Sequence, residues 1–190
     1  MLAVVYLIFN EGYGGRGDLA AEALRLGRAL AGLMPDEPEV QGLLALMLLL
    51  DARREARFRG GELVLLADQD HPLLDTAEIA EGREALDRAL ALLGRGPYVV
   101  QAAIASLYAD EPRDWPQIAA LYGELSRVTG SPVVELSRAV AVAEAQGPEA
   151  GLEIVDRLSL EDYRYLHASA ASCCGVSGAR RRPARPIAEP

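Results

Sequence analysis

Apolar residues along this chain recur mostly three or four positions apart, in blocks broken by proline, glycine and acidic residues. That spacing predicts helices that each bury one face. One block departs from it. Residues 43–50 are apolar at every position, six of them leucine. A helix without a polar face must be covered on several sides, so this one is predicted to be central. Asp36, Glu37, Pro38 and Glu39 precede the run, and Arg53, Arg54 and Arg57 follow it. Acid and proline suit the positive end of a helix dipole and arginine the negative end. The central helix is therefore predicted over residues 36–57.

The flanking pattern adds further helices. Residues 3–10 form an apolar run with no polar lead-in, which reads as entry into the middle of a domain and as a fragment of a longer chain. Asp18 is expected to cap a helix to Gly32, with Leu19, Ala23, Leu26, Leu30 and Leu33 at helical spacing. Residues 58–75 break the pattern as an irregular loop, in which 62–67 reads as a short strand or a helical turn. Thr76 is expected to cap a helix over 77–93, with Ile79, Leu86, Ala89, Leu90 and Leu93 inward. Gly94, Gly96 and Pro97 mark a stop and a restart. Asp114 is expected to cap the next helix, ended by Gly130, and Pro132 and Pro148 open two more. A last piece is expected around Tyr163, Tyr165 and Leu166.

Residues 101–105 match 137–141 at an offset of 36, each following a proline-initiated helix start at Pro97 or Pro132. Small residues at matched positions let paired helices approach closely. This is helical-hairpin logic of the tetratricopeptide type, whose period is about 34 residues. The predicted fold is all-α: a tetratricopeptide-like α-solenoid of four or five hairpins over residues 1–168. Periodicity then vanishes, and residues 169–190, rich in Arg and Pro, are expected to be disordered.

Composition narrows the chemistry. The 19 basic residues are all arginine. Lysine Schiff-base chemistry and a Walker-type phosphate loop are thereby excluded. Net charge is −9; the tail from Ala179 carries +3 and leaves −12 on the rest. So acidic a body is not expected to bind a nucleic-acid backbone. Cys173 and Cys174 are adjacent, rarely bridge in that arrangement and make no zinc site alone, which points to the cytoplasm. Residues 1–9 and 43–50 are too short to span a membrane.

The candidate polar sites are few. Asp68 and Asp70, with Gln69 between them and Asp75 beyond, could offer oxygen ligands to a cation. The glycine and bidentate glutamate of a calcium loop are missing, however, so an acidic loop paired with arginine is the preferred reading and no metal or cofactor is expected. Asp51, Arg53 and Arg54 are expected to fix that loop against the central helix, with partner recognition as the alternative. Asn10 and Glu11, near Tyr13, sit at a helix exit, where Asn usually satisfies backbone groups. Gln101 and Arg138 lie on otherwise apolar helices, either lining a concave binding face or linking repeats. His71 and His167 are far apart and lack a nucleophile motif, so no enzyme activity is expected.

Several stretches together carry a resemblance. They are residues 6–13, 22–28, 33–40, 42–49, 51–54, 61–66 and 68–70, then 96–98, 101–105, 114–115, 118–122, 131–134 and 138–141. In these the chain resembles the long C-terminal extension of a group of bacterial extracytoplasmic-function RNA polymerase sigma factors. The likeness covers residues 2–168. It implies a tetratricopeptide-like regulatory module that modulates transcription initiation through contacts with the sigma core domains or RNA polymerase. Small YCII-like proteins are a further partner that the resemblance implies. His71 stands where the pattern usually has an aromatic, and Ser137 where it usually has Asn. Past His167 the expected final repeat is replaced by the Arg/Pro tail. The promoter- and polymerase-binding domains lie outside these residues. The alternative is a free-standing helical-repeat adaptor for a peptide or small protein.

Overall fold

The computed structural model of the chain describes residues 1–13, 17–59, 62–64 and 69–158. Among these the fold is all-helical apart from one short ladder. The helices are α1 (Leu2–Tyr13), α2 (Gly17–Leu33), α3 (Pro38–Asp51), α4 (Arg54–Arg57), α5 (Thr76–Ala91), α6 (Pro97–Tyr108), α7 (Trp115–Thr129), α8 (Pro132–Gln146) and α9 (Pro148–Arg157). The ladder pairs β1 (Phe58–Arg59) antiparallel with β2 (Glu62–Leu63). The loop stretch left open between strand and helical turn is thus extended at residues 62–63. A 3-10 turn covers His71–Leu73. The chain divides into two compact units, Met1–Asp114 and a second that begins at Trp115.

Helix α3 is the core of the first unit. Pro38 opens it at a position that needs no N–H donor, and every residue from Val40 to Leu49 is buried. Ten buried residues in a row pass through nearly three turns, so every side of the helix is covered. Helices α1, α2, α5 and α6 supply that cover. Against α6 the approach is close: a Cβ on Gly42 would lie 2.7 Å from the Val99 backbone nitrogen. Glu39, in the first turn of α3, accepts hydrogen bonds from the Tyr98 and Val99 backbone N–H groups at 3.1 and 3.2 Å. It therefore satisfies donors at the start of α6, a helix whose own N-cap is Gly96 and has no side chain for the task.

Several expected boundaries move. The central helix ends at Asp51 rather than running through Arg57, because Arg53 N–H turns back to Leu50 O at 3.2 Å and the chain tightens. Asp75, not Thr76, caps α5; its Oδ1 accepts from Ala77 and Glu78 N–H at 3.0 and 2.9 Å. Asp18 lies inside α2 instead of preceding it. Leu90 and Leu93, expected inward, are 48% and 81% exposed. The buried stripe of α5 runs through Ile79, Gly82, Ala85, Leu86 and Ala89, and Leu90 falls one position past it. Leu93 lies beyond the helix at φ 58°, while Gly94 N–H closes the end onto Ala89 O at 2.9 Å.

In the second unit α8 packs against both α7 and α9. Leu136, Ala139 and Val155 form one buried apolar cluster between α8 and α9, with Ile154 and Leu158 against them. Gly147, at φ 104°, makes the turn into α9. The expected last piece near Tyr163 and the tail 169–190 lie outside the described residues.

The burial patterns of α6 and α8 align at 37, not at the offset of 36 read from residue types. Val99, Ala102, Ile104 and Ala105 are buried, as are Leu136, Ala139, Ala141 and Val142, each 37 positions on. In this register Gln101 corresponds to Arg138, and both are half-buried. The one-residue difference is a helical phase difference of about 100°, which residue identity alone cannot resolve among repeated alanines and valines.

Candidate functional site

The polar residues around the end of α3 meet in one place. Arg53 sits in the turn between α3 and α4 and is only 6% exposed. Its Nη2 donates to Gln69 Oε1 at 2.8 Å, and its guanidinium lies 5.4 Å from the centre of the Tyr108 ring. Gln69 Nε2 in turn donates to Val64 O at 3.2 Å, and Val64 N–H donates to Arg57 O at 2.8 Å. Asp75 N–H closes the other side of the segment onto Ala52 O at 2.9 Å. Arg53, Gln69, Asp70, His71, Leu74, Tyr108 and Arg113 line a narrow, closely packed cleft with no room for a water molecule.

Next to it lies an arginine–aromatic cluster. Arg54 pairs with Asp51 one turn back, and Arg54 and Arg57 stand 5.6 and 5.4 Å from the centre of the Tyr13 ring. Tyr13 donates its hydroxyl to Leu50 O at 3.0 Å and packs on Phe9 with ring centres 5.4 Å apart. Arginine stacks on aromatic faces through its flat, weakly hydrated guanidinium. These contacts bind the ends of α1 and α3 together.

The electrostatics differ from those of a solvated surface. Burial pushes Arg53 below the ordinary arginine range, and the neighbouring Arg57 and Arg113 add to that, against Tyr13 and Tyr108. Arg113 pairs with Glu111 at 3.2 Å, and His71 Nε2 stands 3.7 Å from the same carboxylate. Arg113 Nε and His71 Nε2 are buried without a hydrogen-bond partner among the described residues. Burial also raises Asp51, against Arg54, and lifts Glu78 to about 7, with Asp51 and Asp75 contributing to the latter.

The other expected site residues are scattered. Asn10 hydrogen-bonds the Tyr6 phenol one turn back, whose hydroxyl burial pushes up. Glu11 follows Asn10 in the last turn of α1 and is exposed. Gln101 donates to Pro97 O at 3.0 Å within its own helix. Arg138 pairs with Glu135 at 2.9 Å, and its side chain lies over Gly123 of α7. Asp68 lies outside the described residues, so its grouping with Asp70 has no geometry to report. Among the described residues no three His, Cys, Asp or Glu side chains gather as a set that could hold a metal ion. Tyr108, Arg113 and His71 belong to the cleft although sequence reasoning did not place them there. Tyr108 and Arg113 are 55 and more positions past Arg53, at the end of α6 and beyond, and no local pattern joins them to it.

A helical unit with a buried arginine in a polar cleft at the end of its central helix is the class that fold and site define. Residues 1–90 match the model of DUF6596, described as a family of unknown function. That match holds α3 and the Gln69–Leu74 side of the cleft, but not Tyr108 or Arg113. An uncharacterized protein of Rhizobium meliloti is 46% identical over 178 residues, covering 86% of this chain and 42% of the relative. The chain therefore spans less than half the length of that relative. No solved structure matches the chain. No helix among the described residues is long and apolar enough to cross a membrane.

Proposed function

We propose that the chain is a regulatory protein-contact module built of tetratricopeptide-like helical hairpins. In this reading it acts as the C-terminal extension of an extracytoplasmic-function sigma factor acts, modulating transcription initiation in the bacterial cytoplasm. Its partners are the sigma core domains or RNA polymerase, with a small YCII-like protein as a further candidate. The observation that carries the reading is the common register of α6 and α8, where Gln101 and Arg138 occupy equivalent half-buried positions 37 residues apart. Repeated helices that present a polar residue at the same place are the working unit of helical-repeat binding proteins. The longer Rhizobium meliloti relative supports it too, since a regulatory module is expected to be joined to other domains. The excess of acid supports protein contacts over direct contacts to a nucleic-acid backbone.

The test is a binding measurement between the purified chain and the sigma core domains or core polymerase supplied separately, followed by transcription in vitro. Saturable binding and a changed yield of initiated transcript are expected. Binding to neither component at tens of micromolar, together with a reading frame upstream of Met1 that encodes no sigma domains, would sink the proposal. Capture of a defined partner unrelated to polymerase would favour the free-standing adaptor instead.

A further inference from the structure

We propose that the outward face of α1, formed by Ala3, Val4 and Leu7, is the docking surface for an amphipathic helix, supplied by further polypeptide of the kind that the longer Rhizobium meliloti relative carries. The proposal rests on the protein-contact reading above, in which that polypeptide is the sigma core domains. Residues 2–9 of α1 are apolar without interruption, as residues 43–50 of α3 are. The two helices are covered differently. In α3 every residue of the run but Leu50 is buried. Helix α1 packs mainly on α2, with lesser contacts to α3 and, through Tyr6 on Tyr98, to α6. Val5 and Phe9 are buried there and Tyr6 is half-buried, while Val4 and Leu7 stay 59% and 66% exposed. At about 100° per residue, Val4 and Leu7 lie on the side of α1 opposite Val5, Tyr6 and Phe9. A helix that is apolar on all sides is normally covered on all sides, so the bare side of α1 calls for an occupant.

The size of the face selects that occupant. It is a patch on about two turns of one helix, with exposed Asn10 and Glu11 following on the same side. This is far less than the about 800 Å² per partner that a stable interface of standard size buries. A second copy of the chain, free in solution, would gain too little from it. A segment joined to the module needs less, because its effective concentration reaches roughly millimolar. Chain of that kind exists in the Rhizobium meliloti relative, which is matched over 42% of its length and so carries more than half of itself outside the module. Ala3, Val4 and Leu7 offer no side-chain hydrogen bond or charge, so the helix that covers them must bring an apolar stripe of the same short length. Ala3 is exposed and lies one turn before Leu7, where its small side chain leaves a hollow that an incoming leucine or valine fills.

The test follows the valine and leucine methyl NMR signals of the purified chain as separately purified sigma core domains are added. The Val4 and Leu7 methyls should shift saturably, while those of Val128, also exposed but in the second unit, should stay. Leu7→Asp should weaken binding on the order of tenfold and leave the thermal midpoint unchanged, because Leu7 is exposed in the chain alone. Val4→Thr keeps the shape of the side chain and adds a hydroxyl; it should weaken binding about threefold, and it carries the test should Leu7→Asp prove unstable. Binding to the core domains that both variants leave unchanged, or shifts that reach Val128 equally, would overturn this inference and keep the proposed function. Contact with polymerase alone would do the same. Shifts of the Val4 and Leu7 methyls as the chain alone is concentrated would overturn it in favour of a contact between copies. Shifts on adding phosphatidylcholine–phosphatidylglycerol vesicles, with none on adding the core domains, would overturn it in favour of a membrane surface. A chain that binds neither the core domains nor polymerase would remove the proposed function and this inference with it.

Discussion

Helix α3 and the segment that follows it, residues 52–75, are held by opposite means. Helix α3 buries ten consecutive residues and only one of them, Gln41, is polar. Its stability comes from apolar area removed from water and from packing on four neighbouring helices. The described part of the following segment is held by single polar contacts: Arg53 to Gln69, Gln69 to Val64, Val64 to Arg57 and Asp75 to Ala52. Apolar burial is spread over many atoms and tolerates the loss of any one of them. A polar chain fails at each link, because the partner left behind stays buried and unsatisfied. The core is thus held redundantly, while the segment beside it is held link by link.

The largest effect tests the core side of that contrast. Leu46 is buried in the middle of α3. Leu46→Asp places a charge there with no partner and should cost about 4 kcal/mol or more. Loss of the cooperative thermal transition of the first unit, followed by circular dichroism, is expected. An unchanged midpoint would mean that α3 is not what holds the unit together.

Gln69→Ala tests the polar side. It removes the acceptor from a buried guanidinium, which should make local opening easier by about 2 kcal/mol. Amide exchange at Val64 and Asp75 should quicken, while the amides of Leu43 to Leu49 keep their protection. Equal loss of protection in α3 would show that core and cleft open as one and would erase the distinction drawn between them.

The same contrast explains what could be read from the chain before folding. Helix α3 was legible because it needs only its own residues: an apolar run with a proline start. The starts of α6, α8 and α9 were legible for the same reason, each marked by proline. The cleft was half legible. Arg53, Gln69 and Asp70 lie close in sequence and were expected to meet, but Tyr108 and Arg113 reach them only through the packing of α6 on α3. Glu39 capping α6 across 59 positions is a tertiary contact of the same kind. Arg53 was expected to close the helix dipole and to fix the loop against α3; it bonds Gln69 of that loop, and the tightened turn after Leu50 buries it there. The match between α6 and α8 was read one residue out of phase with their burial, because alanine and valine recur too often there for identity to set the register.

A smaller effect concerns acids at the boundary between core and cleft. Glu78 lies in the first turn of α5, where burial lifts its carboxyl from 4.5 to about 7, with Asp51 and Asp75 adding to the rise and Arg28 opposing it. The folded state therefore binds a proton that the unfolded chain has released between these two values. Its contribution is fully present below the unfolded value of 4.5 and is lost as pH rises through about 7. Glu78→Gln should remove that slope. After allowance for solvent screening it should stabilise the protein by about 1 kcal/mol at pH 8, with little change at pH 5. Urea unfolding at the two pH values measures the difference, and an equal effect at both would deny Glu78 the raised value.

The smallest expected effect lies at the other end of α5 and has the opposite cause. Leu93 is 81% exposed and holds φ at 58°, so it contributes almost no apolar burial while its Cβ crowds the backbone. The bond from Gly94 N–H to Ala89 O fixes the chain in this turn, so the strain is kept for the sake of the helix end. Leu93→Gly relieves the crowding and loses no buried side chain. It also gives the unfolded chain more freedom, which subtracts from the gain. The balance should be a stabilisation of about 0.5 kcal/mol, read as a rise in the urea midpoint with an unchanged slope. Leucine burial drives the structure within α3; here, two turns past the last buried residue of the α5 stripe but one, the same residue type works against it. A fall in the midpoint would show that Leu93 packs on something after all, and that the apolar core extends past the end of α5.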